Sequence, residues 1–426
     1  MTQQVNNSLW SLSRTSSVKA NILEHEEKVD VAIIGGGFTG CAAALRLAEA
    51  GTQVSLLEAE YSGFGGSGRN VGLTNAGLWI NPEDVEKAIG KRYGETLNQF
   101  LSTAPDLVHG LIDEHDIACE ALRNGSLHLA HNEAGLKALE DKAWQINARG
   151  GSVMLLDRAA TFKLTAAENY IGAIHDMRAG TIQPLDYCHG LMMAARAAGA
   201  NIYIASPALK IRHKRGQWHI KTPKGIIMAR QVLIATNAYL EHICPLIKTS
   251  FTPMYYAQMA TDPLSQKQLE NFLPGKHGTW DTRTVMRSYR TDAAGRLIIG
   301  TIGNIHRENA PLFTSWADKM IRDTFPKVGP VNWTYKWAGR IACSENYVPN
   351  IHDLGQGLYS ISGFSGRGIS PGTAFGRVMA DYLLGRVNSR DLPVPLRTVK
   401  PIAFNKLREL FYECGSQLSR FYDHII

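Results

Sequence analysis

The segment between Val29 and Glu58 limits this chain more than any other. The run Val29-Asp30-Val31-Ala32-Ile33-Ile34 is short, β-branched and apolar, the composition of a strand buried in a parallel sheet. Gly35, Gly37 and Gly40 follow at Gly-x-Gly-x-x-Gly spacing, then the strong helix formers Cys41 to Ala50, which stop at Gly51. A second apolar strand, Val54 to Leu57, ends at Glu58. The unit reads β-α-β. Gly35 permits the tight turn out of the strand, Gly37 lets the backbone approach a pyrophosphate, and Gly40 lets the helix pack close to the sheet. Phe38 and Thr39 lie within this turn, and the free N–H groups and positive dipole end of the helix that follows suit a diphosphate. Glu58, followed by Ala59, stands where a carboxylate accepts hydrogen bonds from a ribose diol. A dinucleotide site is expected, and this motif alone leaves NAD and FAD open.

Two further glycine-rich blocks bear on that choice. Gly63-Phe64-Gly65-Gly66-Ser67-Gly68-Arg69-Asn70-Val71-Gly72 follows the second strand directly, where converging backbone N–H groups can fold over an anion. Ser67 offers it a hydrogen bond and Arg69 a positive charge. Near the C-terminus, Leu358 to Ser362 reads as a buried strand entering Gly363-Phe364-Ser365-Gly366-Arg367-Gly368-Ile369 and then a helix from Gly372. This is another anion-welcoming helix start. Arg367 either adds charge there or faces water. Ala208, Thr236 and Gly339 complete the expected cofactor set.

With 426 residues, the chain exceeds one ordinary core, so two domains are expected. The net charge of +7 is scattered rather than gathered in Lys/Arg blocks, which disfavours nucleic-acid partners. The 6 cysteines form no C-x-x-C pair, so neither a zinc site nor a disulfide framework is expected, and no metal is assigned. The polar N-terminus lacks an apolar leader-type core, and no run of about 20 apolar residues occurs. A cytoplasmic protein without an integral membrane segment is expected. Residues 1–28 read as a polar lead-in. Residues 225–228 and 231–238 read as separate strands. The spacing of Leu407, Leu410, Phe411, Leu418, Phe421 and Tyr422 predicts an amphipathic helix packed on the body.

The Val31–Glu58 unit, the Gly65–Gly72 loop, the Gly363–Gly372 segment, Trp337-Ala338-Gly339-Arg340 and Pro349-Asn350-Ile351 together resemble the D-amino-acid-oxidase superfamily of FAD-dependent oxidoreductases, over roughly residues 29–390. The resemblance implies a mixed α/β fold, with a glutathione-reductase-type, Rossmann-like FAD domain and a second, mainly antiparallel substrate domain. The expected boundaries are 29–110, 175–250 and 341–390 for the FAD domain, 111–174 and 251–340 for the substrate domain, and 391–426 for a helical tail. It implies oxidation of a small amine or amino acid to the imine, with reoxidation of the flavin by O2 or a respiratory acceptor. Within the superfamily the chain is similar to L-pipecolate and γ-glutamylputrescine oxidases, with Gly65–Trp79 favouring the pipecolate group. A non-catalytic FAD subunit of a larger dehydrogenase is the alternative of another class.

Such chemistry asks the protein mainly to orient its substrate, with Arg and Tyr for a carboxylate. The candidates are Tyr256, Arg287, Tyr289 and Arg340, with Tyr255 and Arg290 beside them. His306 and His352 are weaker ones. Some relatives attach flavin covalently to a Cys before the final glycine-rich segment. Ser344 and Asn346 do not recreate that context around Cys343, so FAD is expected to be non-covalent. The Lys with which some relatives contact substrate carboxylate is replaced here by Ser370.

Overall fold

The computed structural model describes residues 8–240, 242–306, 308–412 and 415. Its first sheet is built on Glu26–Ile34, which pairs in parallel with Val54–Leu57 on one side and Ile226–Ile234 on the other. Asn201–Tyr203 and Leu358–Ser362 extend this parallel core at either edge. Gln217–Lys221 and Lys210–Lys214 join Ile226–Ile234 as an antiparallel flap. The central strand starts before Val29 because Ile226 to Ala229 pair with Glu26 to Val29. That same ladder makes Ile226–Ile234 one continuous strand, where the residue pattern suggests two.

The second sheet holds Trp333–Cys343, Thr252–Pro263, Arg296–Ile302, Arg287–Thr291, Gly278–Asp281, Ser126–Ala130, Gly172–Asp176 and Val153–Asp157, in that spatial order. All its pairings are antiparallel except Gly278–Asp281 on Ser126–Ala130. Gly172–Asp176 and Trp333–Cys343 run across the domain boundaries expected at 174/175 and 340/341. The apolar core is divided: one large cluster fills each face of the first sheet, and another packs on the second sheet.

Three helices set the geometry of the first sheet's carboxyl ends. Phe38–Glu49 packs between Pro184–Ala197 and Ser370–Leu383. Neither Phe38–Glu49 nor Ser370–Leu383 has a side-chain cap at its N-terminus, so the first-turn N–H groups remain for other partners.

Two expectations need correction. The lead-in contains a short helix, Leu9–Ser13, capped by Ser8, with Leu9 and Trp10 fully buried. Trp10 Nε1 donates to the Asn70 carbonyl at 2.8 Å, and its ring meets Trp337 edge-on. The tail departs the other way. Leu396–Arg397 adds to the first sheet instead of opening a helix. Residues 405–412 are helical as the spacing predicts, but Leu407, Leu410 and Phe411 are exposed rather than packed on the body. Asn405 bonds the Phe251 carbonyl, and Arg408 reaches Glu345. Leu418, Phe421 and Tyr422 lie outside the described residues. Among the described residues, no helix is long and apolar enough to cross a membrane, and the five described cysteines are free.

Candidate active site

A cavity of about 1400 Å3 opens between the two sheets. Pockets for small ligands usually hold about 300–1,000 Å3, so this one has room for a dinucleotide and a second, smaller molecule. Gly35–Thr39, Glu58 and Ala59 line it at one end, with Gly63–Ser67 and Arg69–Gly72 along it and Phe364–Pro371 beyond. Ala208, Thr236 and Gly339 line it too. The three glycine-rich blocks, far apart in the chain, therefore meet at one opening. Gly40, Gly68 and Gly363 are not on its surface and act through packing. A Cβ on Gly40 would collide with the Gly35 carbonyl, and one on Gly68 with the Gly63 carbonyl.

The opening has the features a diphosphate and ribose need. Gly35 has φ +112°, a conformation that side chains resist, and a Cβ there would lie 2.9 Å from the Ala235 carbonyl oxygen. A Cβ on Gly37 would lie 2.8 Å from Ser67 Oγ, closing the cradle. Ser67 Oγ accepts from the Phe38 N–H at 3.1 Å, which ties the loop to the helix start. The Glu58 carboxylate accepts from the N–H groups of Gly36 (2.8 Å) and Glu60 (3.0 Å). Burial raises its pKa, and those N–H groups hold it down. Arg69 Nη1 and Ser370 Oγ are buried without a hydrogen-bond partner, as expected of groups that await a ligand. These residues fit FAD.

The second sheet forms the opposite wall, and strand alternation sorts the predicted catalytic residues. Tyr256 lines the cavity, with its hydroxyl donating to Ser288 Oγ at 2.8 Å. Tyr255, one residue away, does not line it. Ser288 lines the cavity, so its neighbours Arg287 and Tyr289 face away. Tyr289 lies in the second core, bonded to the Tyr170 hydroxyl and edge-on to Phe325. The Arg287 backbone N–H donates to Asp281. Arg290 is buried, with Nη1 donating to the carbonyls of Val71, Gly72 and Ile182 at 2.9, 3.0 and 2.8 Å. It clamps the second sheet to the cofactor loop. Arg340 lines the cavity with its guanidinium 4.9 Å from the Tyr239 ring centroid. His306 is exposed, whereas burial depresses the buried His352 to about 4. Neither lines the cavity. Cys343 is also absent from its lining, and burial pushes the thiol up to about 12.

Some lining residues have no signal in the sequence. Trp79, His128, Lys142 and Trp280 meet around Arg367, which the sequence groups with the cofactor residues. Its guanidinium lies 4.5 Å from the Trp79 centroid and 4.6 Å from the Trp280 centroid. His128 stacks on Trp280 at 5.0 Å, because their strands pair in register. Lys142 Nζ donates to the Trp79 carbonyl at 2.7 Å. Burial, then the charge of Arg367, lowers Lys142 to about 7.

Known proteins share this organisation. The chain is 31% identical to the probable oxidoreductase OrdL of Rhizobium meliloti (strain 1021), over 90% of this chain and 89% of that one. It is 29% identical to the gamma-glutamylputrescine oxidoreductase of Escherichia coli (strain K12), over 96% and 98%. The crystal structure of glycine oxidase from Geobacillus kaustophilus superposes with a TM-score of 0.70 at 20% identity, covering 85% of this chain and 96% of that one. Residues 30–382 match the family described as DAO, FAD dependent oxidoreductase. The chain belongs to this family of FAD-dependent oxidoreductases.

Proposed function

We propose that the protein oxidises a small amine or amino acid at a CH–NH bond, giving an imine that water hydrolyses. One observation carries this reading: two uncapped helix N-termini and a glycine-rich loop open on one end of a cavity whose other wall is an aromatic and cationic sheet face. One end suits FAD and the other a small polar substrate. Bound FAD supplies the two-electron acceptor for the substrate's C–H bond.

The chain's own residues bind and orient. Gly35 and Phe38 shape the close approach to the diphosphate, Gly37 and Thr39 offer it backbone N–H groups, and Glu58 and Ala59 take the ribose. Ser67, Arg69, Asn70, Val71 and Gly72 cover the cofactor, with Thr236, Ala208, Gly339, Phe364, Gly366, Gly368 and Ile369 along its length. Binding is non-covalent, since Cys343 is turned away. Tyr256 and Arg340 line the substrate end and position the substrate, whereas Arg287 and Tyr289 support the sheet behind it. The relative that acts on γ-glutamylputrescine supports an amine donor, and L-pipecolate, γ-glutamylputrescine and sarcosine are the first substrates to try.

Anaerobic mixing of the purified yellow protein with each amine tests this reading. Loss of flavin absorbance near about 450 nm is expected with at least one of them. Full flavin with no bleaching by any amine would instead favour a non-catalytic FAD subunit. Release of hydrogen peroxide in air separates an oxidase from a dehydrogenase that uses a respiratory acceptor.

A further inference from the structure

We infer that Trp10, in the N-terminal segment Ser8–Ser16, is a positioning residue for the cofactor: its indole N–H holds the Asn70–Val71 peptide so that the Val71 N–H is presented to the ring end of FAD. The inference rests on the cofactor reading of the Ser67–Gly72 loop and is independent of which amine is oxidised.

The loop is held from behind at five consecutive carbonyls, Gly68 to Gly72. Ser8 Oγ donates to Gly68 at 2.8 Å. Trp337 Nε1 donates to Arg69 at 3.2 Å, and Gln258 Nε2 donates to the same oxygen. Trp10 Nε1 donates to Asn70 at 2.8 Å, and Arg290 Nη1 donates to Val71 and Gly72 at 2.9 and 3.0 Å. In a planar trans peptide the N–H points opposite to the C=O. The Asn70 carbonyl faces Trp10, so the Val71 N–H faces away from Trp10. That N–H has no acceptor among the described residues, and Asn70 and Val71 both line the cavity. A backbone donor without a partner in the protein is satisfied by a ligand or by water. The hydrogen bond from Trp10 also polarises the peptide, which strengthens its N–H as a donor.

The ring end of FAD is the part this N–H meets. Trp337, Gln258 and Arg290 stand on strands of the second sheet, so this stretch of loop lies where the two sheets face each other. The diphosphate cradle is at the Gly35–Glu58 end, and the ring that takes the substrate's electrons reaches toward the wall that carries Tyr256.

Trp10 is itself held firmly. It is fully buried, edge-on to Trp337, with the Arg290 guanidinium 5.2 Å from its ring centroid. Its own carbonyl accepts from Gln183 Nε2 at 3.1 Å, and the N–H groups of Thr15 and Ser16 each bond the Asp186 carboxylate at 3.0 Å. Gln183 caps Pro184–Ala197 and Asp186 lies in its first turn, so the segment is a strap between that helix and the cofactor loop. Trp10 precedes the residues that match the family.

The test compares FAD-loaded Trp10→Phe with wild type. Phenylalanine keeps an aromatic ring against Trp337 and Arg290 and lacks the N–H. The FAD dissociation constant is expected to rise about threefold to tenfold, the scale of one net hydrogen bond. The absorbance maxima and the reduction potential of the bound flavin are expected to shift with it. Leu23→Ala is the control, because Leu23 is a fully buried lead-in residue in an apolar cluster that does not contain Trp10. It should lower the melting temperature and leave flavin spectrum and potential unchanged. If Trp10→Phe fails to fold or to load, benzothienylalanine in place of Trp10 decides instead, since it keeps the indole shape with sulfur where the N–H was. Wild-type affinity, spectrum and potential in the variant that folds, or the same spectral shift in Leu23→Ala, would overturn the inference. The cofactor reading fails separately. Wild-type FAD affinity in both Trp10→Phe and Glu58→Gln removes the cofactor placement, whereas weaker affinity in Glu58→Gln alone removes only the role of Trp10.

Discussion

Gly376 of Ser370–Leu383 sits directly against the carbonyl oxygen of Thr39, so that a Cβ on Gly376 would collide with it. One turn earlier, a Cβ on Gly372 would lie 3.1 Å from Thr39 Oγ1. The two helices that open on the cavity are thus locked together at their N-terminal turns. Backbone, rather than a flexible side chain, sets their separation. Gly376→Ala is expected to push them apart, lowering stability by about 1–3 kcal/mol, as overpacking does. FAD occupancy should fall with it. A melting temperature and a flavin-to-protein absorbance ratio equal to wild type would refute this.

Arg290 joins the second sheet to the cofactor loop through three carbonyls, and its guanidinium also lies 5.2 Å from the Trp10 ring centroid. Replacing it with Met leaves the Val71 and Ile182 carbonyls without this donor, whereas the Gly72 carbonyl keeps the Ile182 N–H; a buried acceptor left unpaired costs about 1–3 kcal/mol. Arg290→Met should melt several degrees lower and release FAD faster, read by the fluorescence of freed flavin. A Lys at this position lacks the planar fork and should rescue poorly. Full rescue by Lys would show that charge alone matters.

Glu58 holds the Gly36 and Glu60 N–H groups and faces the cavity. Glu58→Gln turns one acceptor into an NH2 that opposes an N–H. FAD affinity is expected to fall by about tenfold or more, the scale of a lost charge-assisted bond. Equilibrium titration of the apoprotein with FAD measures it, and an unchanged dissociation constant would remove Glu58 from the cofactor site.

Lys142 gives a pH dependence with a definite sign. Its folded pKa is lowered to about 7 from 10.5, by burial first and then by Arg367, with Asp84 opposing. The folded protein therefore binds fewer protons than the unfolded chain between about pH 7 and 10.5. The cost of burying the ammonium is present in full below that window and disappears as pH rises through it. Relative to Lys142→Met, wild-type stability should rise across the window, as denaturant midpoints would show.

The sequence by itself determined the dinucleotide half of this protein. Strand, glycine turn, helix and terminal Glu58 are contiguous, and each is fixed by local physics: β-branched burial, a positive φ at Gly35, close packing at Gly40. The second glycine loop and the Gly363–Gly372 turn are legible for the same reason. Only the tertiary structure decided which side chains face the cavity. In a strand, one residue of register moves a side chain to the other face. That step separates Tyr256 from Tyr255, and Ser288 from Arg287 and Tyr289. The lead-in reads as polar because the burial of Leu9 and Trp10 depends on Asn70, Trp337 and Arg290, all distant in the chain. The cluster of Trp79, His128, Lys142, Trp280 and Arg367 leaves no local signal either. Its members come from a loop, two strands, a helix and a turn, and only the packing of one sheet against the other brings them together.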